Sequence, residues 1–216
     1  MPRPAPLTTE LRVALEPFRL LASTPSLRRA PRGSGPVMVL PGFQTTDRST
    51  APLRGWLRRL GYDVSGWGLG LNRGQVGKVL PPLQERIGSM GPPVALVGWS
   101  WGGVLARALA RANPGSVSQV ITLGSPLIGG VGSTVFGGRA SEDERVLSAQ
   151  AAERREAEPL AVPAVSVYTR TDGVVAWEAS IDPVHGRTEH VEVNSSHIGL
   201  GLSPAVWLLL AERLAG

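Results

Sequence analysis

The chain has no cysteine. That excludes disulfides, thiolate zinc sites and a cysteine nucleophile, and leaves stability to packing and hydrogen bonds. Lysine is nearly absent as well. Lys78 is the only one among 22 basic residues, so the net charge of +5 is carried by arginine. The arginines are dispersed, with no run of five and no basic stripe interleaved with aromatics. A solvated basic surface is expected rather than a nucleic-acid partner. No apolar run approaches the roughly 20 residues of a membrane span, so no transmembrane segment is expected. The N-terminal stretch "MPRPAPLTTELRVALEPFRLLAS" has no uninterrupted apolar core, because Glu10, Arg12, Glu16 and Arg19 break it. It does not read as a secretory leader, and a cytoplasmic location is expected. Histidine occurs only at 185, 190 and 197. No histidine pair or carboxylate cluster falls at ligand spacing, so neither metal nor cofactor is expected. Oligomeric state is not legible.

What is present suits one globular domain: 216 residues, of which 42% are hydrophobic and 18% charged. Residues 1–35 read as an N-terminal helix and linker, and 36–216 as the domain proper. In the first part Leu7, Leu11, Leu15, Phe18 and Leu21 fall at helical spacing. This predicts a helix whose apolar face packs on the domain. A membrane-surface helix is the alternative, with Arg12 and Arg19 on its polar face and Glu10 and Glu16 opposing it.

After the linker come six short apolar runs: 37–40, 62–67, 94–99, 117–123, 164–169 and 190–193. Most are β-branched and nearly continuous, as in strands buried on both faces. Helix-like segments lie between them at 50–60, about 76–90, 102–112 and 203–214. Strand alternating with helix predicts an α/β fold with a mainly parallel sheet of about six strands. Residues 125–159 break the alternation with a glycine-rich apolar half and a charged, helix-prone half. This insert is expected to be a lid or pocket wall.

The stretch "VALVGWSWGG" (94–103) places a serine between two tryptophans and then glycines. Gly-x-Ser-x-Gly alone is a weak signal. Here it follows a buried-strand run and opens a helix, the setting of a nucleophile elbow. In so tight a turn side chains at 98 and 102 would clash, and Gly103 lets the helix approach the sheet. Ser100 then stands on the C-terminal edge of the sheet, where open α/β sheets bind ligands. A serine hydroxyl needs a base, and the base an orienting acid. His197 follows the last strand run and emerges at that edge. His190 begins the run, at the wrong edge, and His185 precedes it, so both read as surface or core histidines. Asp172 lies three residues beyond the 164–169 run. Asp182, farther along in a proline-containing loop, is the other candidate acid. Two fixed N–H donors for an oxyanion are expected from Trp101 and from Phe43 after "LPG"; Pro41 has no N–H to give.

These motifs together resemble the α/β-hydrolase superfamily, and within it bacterial serine esterases and lipase-like hydrolases. The likeness runs from about 36 to 214 and rests on "LPGF", "GWGLGLNRG", "VGWSWGG", "LGSP", "TDGVV" and "SSHIGL". It implies ester hydrolysis through an acyl-enzyme without naming the ester; a small-molecule or lipid-like ester is expected, and a tryptophan beside the nucleophile is a one-residue likeness to polyester-degrading hydrolases. Phe43, Trp101, Leu127, Ile128, Val174, Val175 and Ile198 would line an apolar acyl pocket. Trp99 reads as core packing. The chain departs from the pattern in three ways. Pro41-Gly42 stands where many relatives have His-Gly. The first two strands of a full eight-stranded core lack a counterpart in residues 1–35. The 125–159 insert is compact for a lid. Two other functions remain open on sequence grounds: acyl transfer on the same triad, and a catalytically silent ligand-binding domain.

Overall fold

The computed structural model describes residues 2–91, 93–139, 141–182 and 188–216. Six strands form one parallel sheet: β1 (Pro36–Leu40), β2 (Asp63–Gly66), β3 (Val94–Trp99), β4 (Val117–Leu123), β5 (Ala164–Tyr168) and β6 (Thr188–Glu192). Their spatial order is β2-β1-β3-β4-β5-β6. No strand occurs among the described residues before β1, so the sheet is the reduced one expected.

Period-two alternation sorts each strand between two cores. Val39, Val97, Ile121 and Val165 are neighbours in register across β1, β3, β4 and β5. They face one layer, closed by helices α3 (Ala51–Arg59) and α7 (Pro204–Leu214) through Leu53, Trp56, Leu57, Val206, Trp207 and Leu210. Trp56 and Trp207 stack there with ring centroids 5.2 Å apart. Met38, Leu40, Leu96 and Val120 face the opposite layer, closed by α4 (Val76–Gly88) and α5 (Trp101–Ala112) through Leu83, Ile87, Leu105 and Leu109. With helices on both faces, near-continuous apolar strands cost nothing in exposure.

The N-terminal segment corrects the sequence-based expectation. Leu7–Leu15 is a 3-10 helix that continues into α1 (Glu16–Ala22) and α2 (Thr24–Arg29). Its apolar side chains Leu7, Leu11, Leu15, Phe18 and Leu21 are exposed, while Glu10 and Glu16 are buried. The physical reason is that both sheet faces are already covered by helices. What remains open beside the segment is a set of backbone N–H groups, which carboxylates satisfy and leucines cannot. Leu20, Leu27 and Ala30 dock against the α3/α7 core.

In the 125–159 insert, two 3-10 turns (Gly130–Ser133 and Val135–Arg139) precede α6 (Glu142–Arg155). Ser141 and Glu144 close a reciprocal capping box at the start of α6. The insert is stitched to the loop after β5: Thr134 bridges Val175, Val135 N–H donates to the Val174 carbonyl and Ala176 N–H to that of Ser133.

On the far side, a buried ion-pair cluster ties α5 to the end of α6 and to the β5–β6 connection. Arg107, 1% exposed, donates to Asp182 at 2.6 Å and to Glu156 at 2.8 Å, and Arg111 also reaches Glu156. Removing the cation of such a cluster strands its carboxylates out of water. Arg107→Leu is therefore expected to lower unfolding free energy by about 3–5 kcal/mol in a urea titration. A variant as stable as the parent would contradict the cluster's structural role.

Candidate active site at the C-terminal edge of the sheet

Ser100 sits between β3 and α5 at φ 53°, ψ −122°, one of two non-glycine residues with positive φ among those described. Such a conformation costs about 1–3 kcal/mol and persists only when its surroundings enforce it. Here Ser100 N–H donates to the Leu123 carbonyl at 2.7 Å, and the Ser100 carbonyl accepts from Gly103 N–H at 2.9 Å. The neighbouring glycines have the expected steric origin. A Cβ on Gly98 would lie 2.4 Å from the Gly102 carbonyl oxygen, one on Gly102 2.3 Å from that of Leu40, and one on Gly103 2.0 Å from Ser125 Oγ.

Asp172 and His197 meet at the same edge, delivered by the loops after β5 and β6. His197 Nδ1 is 2.7 Å from Asp172 Oδ2, and both side chains are buried. The other carboxylate oxygen, Oδ1, accepts from the backbone N–H groups of Val174 (2.9 Å) and Val175 (2.7 Å). An ionised Asp172 has no proton to give, so the neutral imidazole carries its proton on Nδ1 and leaves Nε2 as the acceptor. Trp99, beside Ser100, donates its indole N–H to the His197 carbonyl at 3.1 Å. It lies half-buried against the core and also fixes the histidine loop.

The other two candidates lie elsewhere. Asp182 is held by Arg107 and Thr188 on the far side of the molecule. His190, within β6, accepts from the Asp182 backbone N–H at 3.0 Å. His185 lies outside the described residues.

Sequence reasoning missed two organisers of this edge. The first is Glu10. Its Oε1 accepts from Gly173 N–H (2.8 Å) and His197 N–H (3.0 Å), and its Oε2 from Ile198 N–H (2.8 Å). One carboxylate thus ties the loop carrying Asp172 to the loop carrying His197. Nearby, Arg12 donates to Thr171 and Asn194, the Ser195 hydroxyl donates to Glu16, and Ala5 N–H donates to the Asp172 carbonyl. The one available signal was that Glu10 and Glu16 are the only acidic residues in the first 35.

The second is Asn72, fully buried, within the quoted "GWGLGLNRG" stretch. Its side chain donates to the Pro41 carbonyl at 2.8 Å and accepts from Gly74 N–H at 3.0 Å, while its carbonyl accepts from Gln44 N–H at 2.7 Å. It shapes the loop after β1, which passes Ser100 so closely that a Cβ on Gly42 would lie 3.4 Å from Ser100 Cβ. Among the described residues, the backbone N–H groups of Phe43 and Trp101 enter no hydrogen bond.

Ser100 opens into a cavity of about 360 Å³ with a mostly apolar lining. Four of the expected wall residues line it: Phe43, Trp101, Val174 and Val175. Leu127, Ile128 and Ile198 do not. Leu127 is buried, its backbone bonded to Ser125 and Ala179. Ile128 packs on Val175, Ala176 and Ala179, and Ile198, held by Glu10, faces solvent. The insert supplies Val131, Thr134 and Phe136 instead, and Arg73 stands at the wall as the one cation. Phe136 meets Phe43 edge-on with centroids 5.6 Å apart, joining the insert to the β1 loop. Among the described residues, no group of three His, Asp or Glu side chains could hold a metal ion, and no helix is long and apolar enough to cross a membrane.

No protein-family model matches the sequence, and no curated protein matches it. Many solved structures are similar in fold. A metagenome-derived lipolytic enzyme, from work on LipS and LipT, aligns over 86% of this chain and 94% of its own at 18% identity, with a TM-score of 0.63. The monoacylglycerol lipase of Paleococcus ferrophilus aligns over 85% and 96% at 15% identity, with a TM-score of 0.65. The thioesterase domain from the curacin biosynthetic pathway aligns over 86% and 91% at 15% identity, with a TM-score of 0.61. With its parallel six-stranded sheet, helices on both faces and an elbow serine after β3, the chain has the fold of the α/β-hydrolase superfamily.

Proposed function

We propose that the chain is a serine hydrolase that cleaves carboxylic esters through an acyl-enzyme. The observation that carries this reading is the buried Asp172–His197 pair at the sheet edge where Ser100, held in a strained elbow, lines an apolar cavity. In this reading His197 Nε2 accepts the Ser100 hydroxyl proton as Oγ attacks the ester carbonyl carbon. Asp172 stabilises the imidazolium that forms. The oxyanion gains the N–H groups of Trp101, at the positive end of α5, and of Phe43. Collapse of the tetrahedral adduct expels the alcohol, which takes its proton from His197. Water then repeats the sequence on the acyl-serine, with His197 again as base.

The cavity supports small to medium acyl or aromatic esters. Its apolar walls reward burial of hydrocarbon at about 25 cal/mol per Å², and Phe43 and Phe136 offer ring edges to an aromatic acyl or alcohol group. Polyester segments of similar width belong to the same class. The named neighbours, a lipolytic enzyme, a monoacylglycerol lipase and a thioesterase domain, support an acyl-transfer site in general rather than one ester.

A fluorophosphonate probe is expected to label the protein once, on Ser100, and p-nitrophenyl esters to be turned over. Ser100→Ala should abolish labelling and reduce turnover to the uncatalysed rate. Labelling that survives in Ser100→Ala would overturn the assignment. Parallel assays with added alcohols report acyl transfer against hydrolysis directly.

Glu10 touches neither cavity nor Ser100, yet holds both catalytic loops. Glu10→Ala leaves three backbone N–H groups, two of them buried, without their acceptor and loosens the spacing of Asp172 and His197. Displacements of about 1 Å cost on the order of 100-fold in rate. The expected result is kcat lowered on the order of 10- to 100-fold with KM little changed. Unchanged kcat in a folded Glu10→Ala variant would contradict this positioning role.

A further inference from the structure

The N-terminal segment reverses the usual amphipathic arrangement. Its carboxylates face the protein, and its large apolar side chains face solvent: Leu7 is 61% exposed, Leu11 75%, Phe18 72% and Leu21 75%. Single exposed leucines are ordinary, but four large apolar side chains exposed within residues 7–21 mark an interaction surface.

The charge of this surface identifies its partner. Residues 1–35 contain six arginines and two carboxylates. Both carboxylates are buried: Glu10 holds the catalytic loops, and Glu16 accepts from Arg19 and Ser195. Arg12 is engaged by Thr171 and Asn194. Arg28 and Arg29, which close α2, and Arg32 are exposed, and among the described residues they pair with no carboxylate. Arg28 and Arg29 share a surface cleft with Leu21; Arg28, Arg32 and Arg59 share another with Leu21. The exposed face of the segment is thus apolar and cationic, with no exposed carboxylate of its own. A second copy docking by two-fold symmetry would set arginines against arginines with nothing in the segment to neutralise them.

We propose that this face docks on an anionic lipid surface. Leu7, Leu11, Phe18 and Leu21 enter the boundary between headgroups and acyl chains, and Arg28, Arg29 and Arg32 meet the lipid phosphates. The proposal stands apart from the hydrolase reading, because none of these side chains lines the Ser100 cavity.

The test is co-sedimentation of the full chain with vesicles of phosphatidylcholine alone or mixed equally with phosphatidylglycerol. Two double variants accompany it, Leu11→Glu/Phe18→Glu and Arg28→Glu/Arg29→Glu, with folding checked by circular dichroism. All four positions are exposed, so the fold is expected to survive. The expected result is binding to phosphatidylglycerol vesicles that is at least tenfold weaker on phosphatidylcholine, tenfold or more weaker in each variant, and reduced by added salt. Ser100→Ala should bind like the parent. The proposal is overturned by an absence of binding to phosphatidylglycerol vesicles, or by binding that both variants retain. A concentration-dependent dimer in sedimentation velocity that Leu11→Glu/Phe18→Glu dissolves would assign the face to a second copy instead.

Discussion

The candidate active-site edge depends on how one carboxylate divides its two oxygens. Asp172 Oδ1 closes its own loop on the N–H groups of Val174 and Val175, and Oδ2 holds His197 Nδ1. The first set of bonds makes the second possible, because an aspartate free to rotate would not present Oδ2 at a fixed place. Buried almost completely, the pair works where little solvent competes for its hydrogen bonds. Val174 and Val175, which cap Oδ1, are also cavity walls, and Val174 accepts from the insert at Val135. Orientation of the histidine and the shape of the apolar cavity are therefore set by the same few peptide groups.

That arrangement is closed from outside by Glu10, more than 160 residues away in sequence from each group it binds. A buried carboxylate is tolerable only where donors replace its water, and the Asp172 and His197 loops supply three N–H groups. The same segment that buries Glu10 and Glu16 leaves Leu7, Leu11, Leu15, Phe18 and Leu21 exposed. The proposed support of the Asp172 and His197 loops and the proposed lipid-docking face thus come from the same stretch of chain.

Legibility in the sequence followed the range of the interaction. The central strands were readable because burial on both faces leaves a local apolar, largely β-branched pattern, and the helices over 51–59, 101–112 and 204–214 because their apolar stripes are local too. Gly98 was readable because the clash it avoids is with Gly102 and Gly103 in the same turn, and Gly102 and Gly103 because the tight strand-to-helix turn brings them against Leu40 at the end of β1 and Ser125 just after β4. Strand ends separated His197 from His190, since in a parallel sheet every strand finishes at one edge. Glu10 and Asn72 were not readable, because a hydrogen bond spanning the chain leaves no periodic trace. The N-terminal stripe misled for a related reason. Periodicity tells which residues share a face, not whether that face finds a partner, and here the sheet had no uncovered face to offer. Leu127, Ile128 and Ile198 lie near the right edge but on the wrong side of their loops, a distinction that backbone order alone does not carry.

The most direct measurement is the steady-state kinetics of Asp172→Asn beside its unfolding midpoint. An asparagine keeps one carbonyl oxygen for the Val174 and Val175 N–H groups, so the loop should hold. Its amide would face His197 Nδ1 as a donor and force the opposite tautomer, with the proton on Nε2 and no acceptor left for Ser100. The account predicts an ester-hydrolysis kcat lowered by about 10⁴ at nearly unchanged stability. Full activity in folded Asp172→Asn would contradict it.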